Sequence, residues 1–437
     1  MLRRWALLRA GTAMAAGQPL ASDLRFVAQL ASSELVHFAL SGEGAPASNG
    51  SLRRCFVPPP GRCFSFCVPG AQSLPERIWA ARLHSALQSS LGAGSSAVLP
   101  LLSYSPRGAA AALERGFLVQ DARRLLETER SLQELLRLWL PAPAHLREYE
   151  QAAGGELWCD LWSLKGAAQG GKELLGRARV VQAEPPQLHP AVPHLLHQAV
   201  FRSLEAAREV LQECTSLIPE TKAVLDFVEK CPEHPKKGDF PVIVIEGLDA
   251  TGKTTVTQSL KDSLNAVLLR SPPSCVNQWR KIFDEEPTLI RRAFYAVTNY
   301  IVASEIAQAS TKSPVVVDRY WHSTAAYAIA TEISGKVEDL PPLHHQVYQW
   351  PEDLLRPDMV LMLTVSPEER IRRLQGRGME KTKEEAELEA SCVFRQKVEE
   401  SYKRMENPIC QPVDASPSRE EVLKAALHLI KKKCPLL

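Results

Sequence analysis

The sequence contains no CxxC pair, no run approaching eighteen uninterrupted apolar residues and no surplus of either charge. Each absence removes a class of protein. Ten cysteines are scattered from Cys55 to Cys434, and the tightest group, Cys55, Cys63 and Cys67, lacks a fourth Cys or His at zinc-finger spacing. Free thiols in a reducing compartment fit this usage better than a disulfide framework or a zinc site. The missing apolar run argues against a transmembrane span. Lys plus Arg number 52 against 50 for Asp plus Glu, a net charge of +2, so no general field favours nucleic acid or an anionic membrane. Any phosphate binding has to come from a local site.

Acidic residues are also absent from the first 22 positions, while Arg3, Arg4 and Arg9 fall there. With Leu2, Trp5 and Leu8 on one helical face, residues 1–25 have the amphipathic, Arg-rich, acid-poor character of a mitochondrial transit peptide, and Arg9 interrupts any secretory core. A frayed basic terminus is the alternative.

The chain has 437 residues, a mass of 48.3 kDa and 45% apolar residues, enough for two or three globular domains. Residues 26–187 alternate apolar segments such as LVHFAL, RCFSFCVPG and SAVLPLLSYSP with Pro/Gly-rich breaks. Helical patterns lie between them: SLPERIWAARLHSALQSSL, with Ser73 as its cap, and DARRLLETERSLQELLRLWL, stopped by Pro141. This predicts an α+β N-terminal domain, in which no nucleophile, base and orienting group combine. Residues 188–237 read as a helical linker region ending in the breaker PEHPKKGD, and residues 238–437 as an α/β domain.

The strongest chemical signal opens that last domain. Gly247-Leu248-Asp249-Ala250-Thr251-Gly252-Lys253-Thr254 satisfies GxxxxGK[ST] between an apolar strand, Val242 to Ile245, and a helical pattern from Thr255. Glycines at 247 and 252 let successive N–H groups face phosphate oxygens, helped by the positive end of the helix. Lys253 then reaches the β- and γ-phosphates, and Thr254 offers its hydroxyl to Mg²⁺. A second apolar strand, Val315 to Val317, ends in Asp318 and Arg319. At the carboxyl end of a parallel strand, an acid can serve the metal and an arginine can pair with a phosphate. PDMVLMLTV predicts a third strand of the same type.

Next, Arg370, Arg372, Arg373 and Arg377 crowd one segment. Arg373 and Arg377 are the candidates for a lid that brings guanidinium groups onto a transferring phosphoryl. Glu384 to Glu400 reads as a solvated charged helix face or a short coiled coil. Trp279, Arg280, Phe294, Tyr300 and Tyr327 are candidates for base stacking or hydrogen bonding, each with a plain core role as the alternative. The pair His344-His345 reads as structural, and His322, close to Asp318-Arg319-Tyr320, as a capping or core residue with a site role as the alternative.

In order, VIEGLDATGKTT, VVVDRYWHS, PDMVLML and the arginine-bearing segment resemble the thymidylate kinase family of nucleoside monophosphate kinases, over about Phe240 to Lys432. The resemblance implies a P-loop kinase fold, a parallel sheet flanked by helices, with ATP and Mg²⁺ as cofactors and transfer of the γ-phosphoryl to a monophosphate. It implies that Asp249 lies near the acceptor's sugar and phosphate, that Arg319 grips the acceptor phosphate and that Tyr327 lies near the acceptor. Two positions depart from the pattern. Ala250 stands where some members carry a P-loop arginine, which leaves the catalytic arginine to the lid. Ala296 and Tyr300 stand where thymidylate kinases place a phenylalanine and an arginine against thymine, which counts against thymidylate. A core of this kind behind a long N-terminal domain and a transit-like leader is similar to the mitochondrial pyrimidine monophosphate kinases of vertebrates, implying dUMP, dCMP, UMP and CMP as acceptors in the matrix. Expected partners are these nucleotides and no nucleic acid, with a homodimer left open. Two alternatives share these features: a deoxynucleoside or thymidylate kinase, and a nucleotide-responsive scaffold regulated by its N-terminal domain.

Overall fold

The computed structural model describes residues 24–434 apart from 42–51, 57–60, 69–72, 92–96, 107–112, 124–125, 141–143, 165–170 and 376–382. The leader lies outside the described residues up to Asp23, and Arg25 already begins the first strand. Arg377 also lies outside them.

Eight antiparallel strands close the N-terminal part into a barrel. They are β1 (Arg25–Gln29), β2 (Leu35–Ser41), β3 (Arg62–Val68), β4 (Ala97–Tyr104), β5 (Glu114–Asp121), β6 (Ala144–Gln151), β7 (Leu157–Leu164) and β8 (Lys172–Gln182), in the spatial order β1-β2-β8-β7-β6-β3-β5-β4. The period of two divides RCFSFCV between two cores. Cys63 joins Phe26, Phe38 and Tyr149 in one cluster, while Phe64 and Phe66 pack with helices α1 (Leu74–Leu91) and α2 (Leu126–Trp139) in another. The expected α+β composition takes the form of a closed barrel with helices packed on it. The charged positions of AHLREYEQ break its apolar alternation and hide the strand in the sequence, and Arg147 lies over the Phe26 ring at 5.1 Å.

Between barrel and C-terminal sheet, residues 192–214 do not form one helix. A single helical turn, Leu195–Gln198, precedes α3 (Leu204–Glu213), whose cap Ser203 accepts from Ala206 N at 3.3 Å, and α4 (Glu220–Glu229) follows.

The C-terminal sheet has five strands, all parallel: β9 (Val242–Gly247), β10 (Val267–Arg270), β11 (Val315–Asp318), β12 (Met359–Thr364) and β13 (Cys410–Asp414), in the order β10-β11-β9-β12-β13. Central β9 is buried along its whole length, which explains the apolar run Val242 to Ile245 that precedes Glu246. Each of its valines and isoleucines contributes about 1.5–3 kcal/mol by leaving water. Helices α5 (Lys253–Leu264) and α12 (Arg419–Lys433) cover one face of the sheet; α6 (Arg280–Glu285), α7 (Thr288–Ala309), α8 (Trp321–Glu332) and α11 (Cys392–Arg404) join the core on the other. Short helices α9 (Pro367–Gln375) and α10 (Lys383–Ala390) flank residues 376–382. Successive strands leave β9 in opposite directions, β11 on one side and β12 on the other, so the turn after β9 sits at a topological switch point, where open α/β sheets bind ligands.

The charged segment 384–400 is neither one helix nor wholly solvated. Ser391 caps α11, accepting from Phe394 N at 3.1 Å, and α11 buries Val398, Ser401 and Tyr402 as it packs on α8.

Candidate active site

Backbone geometry sets the loop after β9. Gly247 has φ +139°, and a Cβ there would lie 2.5 Å from Leu363 O on neighbouring β12, so only glycine fits. Ala250 has φ +66° although it is not glycine, and the loop holds it there. The chain then enters α5 at Lys253, so the first N–H groups of that helix open onto the loop.

Lys253 is buried. Its Nζ donates to Leu248 O at 2.6 Å and lies 3.8 Å from Asp249 Oδ1. Burial, then the nearby Arg319 guanidinium, lower its pKa to about 8. Asp249 in turn accepts from Arg319 Nη2 at 2.6 Å. Arg319 follows β11 with a left-handed backbone, φ +67°, its N–H donating to Ile245 O at 3.0 Å. The strained backbone turns the guanidinium toward Asp249, at 2.6 Å, and Ser323, at 3.4 Å. Asp249, Lys253, Thr254, Asp318, Arg319 and Tyr327 all line one cleft of about 630 Å³. Thr254 and Asp318 bring a hydroxyl and a carboxylate to that cleft, the hard oxygen donors that suit Mg²⁺ when substrate phosphates and water complete its shell. Among the described residues there is no cluster of three or more His, Cys, Asp or Glu side chains that could hold a metal by themselves.

Beneath the loop lies Glu246, a fully buried carboxylate whose burial pushes its pKa up. It accepts from Tyr320 N at 2.8 Å, Ser323 N at 3.2 Å, the Ser323 hydroxyl, and the Tyr402 hydroxyl at 3.2 Å. One side chain thereby ties the end of β9 to the turn after β11, to α8 and to α11. Its only signal in the sequence is a charged residue interrupting an apolar strand.

The arginine segment touches the loop through two residues. Arg373, expected there, donates to Thr251 O at 3.3 Å and Ala415 O at 2.7 Å. Arg370, which the sequence does not single out from its neighbours, donates from Nε to Asp249 O at 3.2 Å. The spacing of three and four residues puts Arg370 and Arg373 on one face of α9, with Glu369 accepting from Arg373 Nε at 2.6 Å.

On the opposite wall, the base-side candidates divide. Tyr327 lines the cleft, with the Arg319 and Arg292 guanidinium carbons 5.9 Å and 6.0 Å from its ring centroid. Arg280 lines it too, its Nε donating to the Tyr295 hydroxyl at 3.1 Å while that hydroxyl donates to Asp284 at 2.6 Å. The other three do not reach the cleft. Trp279 is 6.3 Å from the Phe227 ring, Phe294 stacks on Phe283 at 4.2 Å, and Tyr300 donates its hydroxyl to Asp353 at 2.6 Å. Ala296 is buried away from it as well. Arg292 and Tyr295, one turn earlier on α7, line the cleft instead. The histidines are structural: His322 Nε2 lies 3.1 Å from Pro408 O, with its pKa lowered to about 4 by burial, His344 meets Glu406 at 2.6 Å, and His345 Nδ1 accepts from Val347 N at 3.2 Å. Among the described residues, no helix is long and apolar enough to cross a membrane.

Chemically, this arrangement can cradle a phosphate chain on the loop, place a second phosphate at Arg319 and neutralise charge between them with Lys253, Arg370 and Arg373. Residues 245–426 match the thymidylate kinase family model. A human protein, "UMP-CMP kinase 2, mitochondrial", is 56% identical over 421 residues, covering 94% of this chain and 93% of its own. A probable thymidylate kinase 1 of Saccharolobus solfataricus is 28% identical over 200 residues, 44% of this chain and 97% of its own. A probable thymidylate kinase of Methanococcus vannielii is 28% identical over 174 residues, 38% of this chain and 79% of its own. The archaeal relatives match only part of the chain, whereas the human one runs nearly end to end. The chain therefore belongs to the family of the human UMP-CMP kinase 2, nucleotide kinases built on a thymidylate kinase domain.

Proposed function

We propose that this protein transfers the γ-phosphoryl group of ATP to pyrimidine nucleoside monophosphates, dUMP, dCMP, UMP and CMP, yielding diphosphates in the mitochondrial matrix. The observation that carries this reading is the contact of Arg319 with Asp249 at 2.6 Å beside Lys253, which joins an acceptor-side cation to the phosphate-cradling loop. The extended identity to a human protein named as a mitochondrial UMP-CMP kinase supports UMP and CMP as acceptors and a mitochondrial compartment.

The catalysis proposed is positioning with charge stabilisation. Lys253 and the amides of Gly247 to Thr254, with Leu248, Ala250, Thr251 and Gly252 forming the turn, hold the donor phosphates. Thr254 and Asp318 would hold Mg²⁺, which when bound would supply charge neutralisation. Arg319 and Asp249 place the acceptor, with Tyr327 against its nucleoside. Arg370 and Arg373 support the loop from α9, and the role assigned to Arg373 with Arg377, the latter outside the described residues, is to neutralise charge on the transferring phosphoryl. Once the acceptor phosphate approaches, Arg319 exchanges Asp249 for it, leaving the carboxylate to orient the sugar.

An ADP-release assay with dUMP, dCMP, UMP, CMP, dTMP, AMP and deoxycytidine tests the reading. Turnover is expected with the four uridine and cytidine monophosphates and little with dTMP. Preferred turnover of dTMP would contradict it, and turnover of deoxycytidine without dCMP would make the protein a nucleoside kinase.

A further inference from the structure

Two arginines of the N-terminal part lie outside every motif of the reaction, yet each grips a helix that walls the cleft. Arg82 of α1 donates from Nε to Glu286 Oε2 at 3.0 Å and from Nη2 to Glu286 Oε1 at 2.6 Å, a two-point pairing with directional hold. Glu286 directly follows α6, and α6 carries Arg280 and Asp284, the two side chains that fix the Tyr295 hydroxyl in the cleft wall. Arg115 of β5 donates from Nη2 to Glu332 Oε2 at 2.5 Å and to Gln198 Oε1 at 3.2 Å. Glu332 is the last residue of α8, whose other end begins just after Arg319 and brings Ser323, Thr324 and Tyr327 to the cleft.

The packing runs the same way. Val27, Ile78, Leu102 and Leu113, from the barrel and α1, belong to the same apolar core as α7 and α8. Exposed ion pairs contribute little, about 0–1 kcal/mol. The Arg82–Glu286 pair is more sheltered, with side-chain exposures of 28% and 13%, and its two parallel bonds fix orientation. By contrast, Arg54–Glu34, at 53% and 36%, is an ordinary surface pair of the barrel.

We propose that the N-terminal barrel is a positioning element for the acceptor half of the site, with Arg82 as a positioning residue that acts through Glu286 and α6 on the Arg280–Tyr295–Asp284 wall. This rests on the proposed function only in taking a monophosphate as the ligand of that wall. The donor-side loop after β9 is held by its own sheet, by Glu246 and by Arg370 and Arg373, so the barrel's influence falls on one substrate and not the other.

The test uses the full chain as wild type, Arg82→Ala, Arg82→Lys, the reversed pair Arg82→Glu with Glu286→Arg, and Arg54→Ala as control. Steady-state kinetics give the acceptor KM, the ATP KM and kcat; amide hydrogen exchange is followed over residues 280–299 and over β9. For Arg82→Ala the acceptor KM is expected to rise about fivefold with ATP KM and kcat within about twofold, and exchange to quicken over 280–299 but not β9. Arg82→Lys keeps the charge but not the fork, so it recovers part of the loss, the reversed pair recovers most, and Arg54→Ala matches wild type. An unchanged acceptor KM, or equal changes in both KM values with faster exchange throughout, would overturn the proposal. If wild type turns over no monophosphate, the proposed function falls on its own. Exchange still decides the inference: quickening confined to 280–299 supports it, and unchanged exchange there overturns it.

Discussion

The two sheets of this molecule were assembled by different rules, and they differ in how much of themselves they reveal. In the C-terminal sheet every strand is parallel, and β9, buried throughout, is an apolar run up to Glu246 that delivers its chemistry in the turn after Gly247. In the barrel, neighbours are antiparallel and often distant in sequence, β1 pairing with β4 and β3 with both β5 and β6. Its side chains alternate between two cores, and its arginines, Arg82 on α1 and Arg115 on β5, act outward on the other half. A binding loop is encoded locally, whereas a supporting domain is encoded in pairings that no window of sequence displays.

The contrast is sharpest at Lys253. Lys253→Ala removes the buried ammonium beside the loop and should lower kcat by about 10³-fold or more, while thermal unfolding shows the fold retained. Near-normal turnover would move the phosphate site elsewhere.

Next in size is Glu246, which joins the reacting turn to the scaffold. Glu246→Ala leaves the Tyr320 and Ser323 amides without their carboxylate and should cost about 2–3 kcal/mol of stability together with acceptor affinity, measured by denaturant unfolding and acceptor titration. Stability equal to wild type would mean that the turn after β11 is held from elsewhere.

A smaller effect should follow pH. Burial and Arg319 lower the Lys253 pKa to about 8, so the ammonium that attracts phosphate is lost from the free enzyme as pH rises through that value. The profile of kcat/KM for ATP should fall on the alkaline side of about 8, while kcat, reporting the loaded enzyme whose phosphates favour the charged form, should hold to higher pH. Coincident alkaline limbs would contradict this.

Legibility followed burial as much as motif. Val242 to Ile245, Val315 to Val317 and the 359–364 strand were plain in the sequence because both faces are covered, but β10 is an edge strand with no buried residue and β13 carries Pro412 at the other sheet edge. The loop residues were legible because phosphate chemistry fixes their types. The acceptor wall was not. Helix α7 is buried on nearly every side from Leu289 to Ile306, so it has no apolar stripe to say which face meets the cleft. The resemblance to the family pattern therefore points to Ala296 and Tyr300, whereas Arg292 and Tyr295, one turn earlier, line the cleft. Tyr300 turns instead to Asp353, a partner 53 residues away. Arg370 was hidden by company, since among four crowded arginines only the fold decides which guanidinium meets Asp249 O.

The most direct measurement is ³¹P NMR of the full chain incubated with Mg²⁺, ATP and dCMP. The expected spectrum shows dCMP and ATP declining together as dCDP and ADP appear in equal amounts, with no change in the Lys253→Ala sample. Unchanged dCMP in the wild-type sample, or equal conversion by Lys253→Ala, would contradict phosphoryl transfer at the loop after β9.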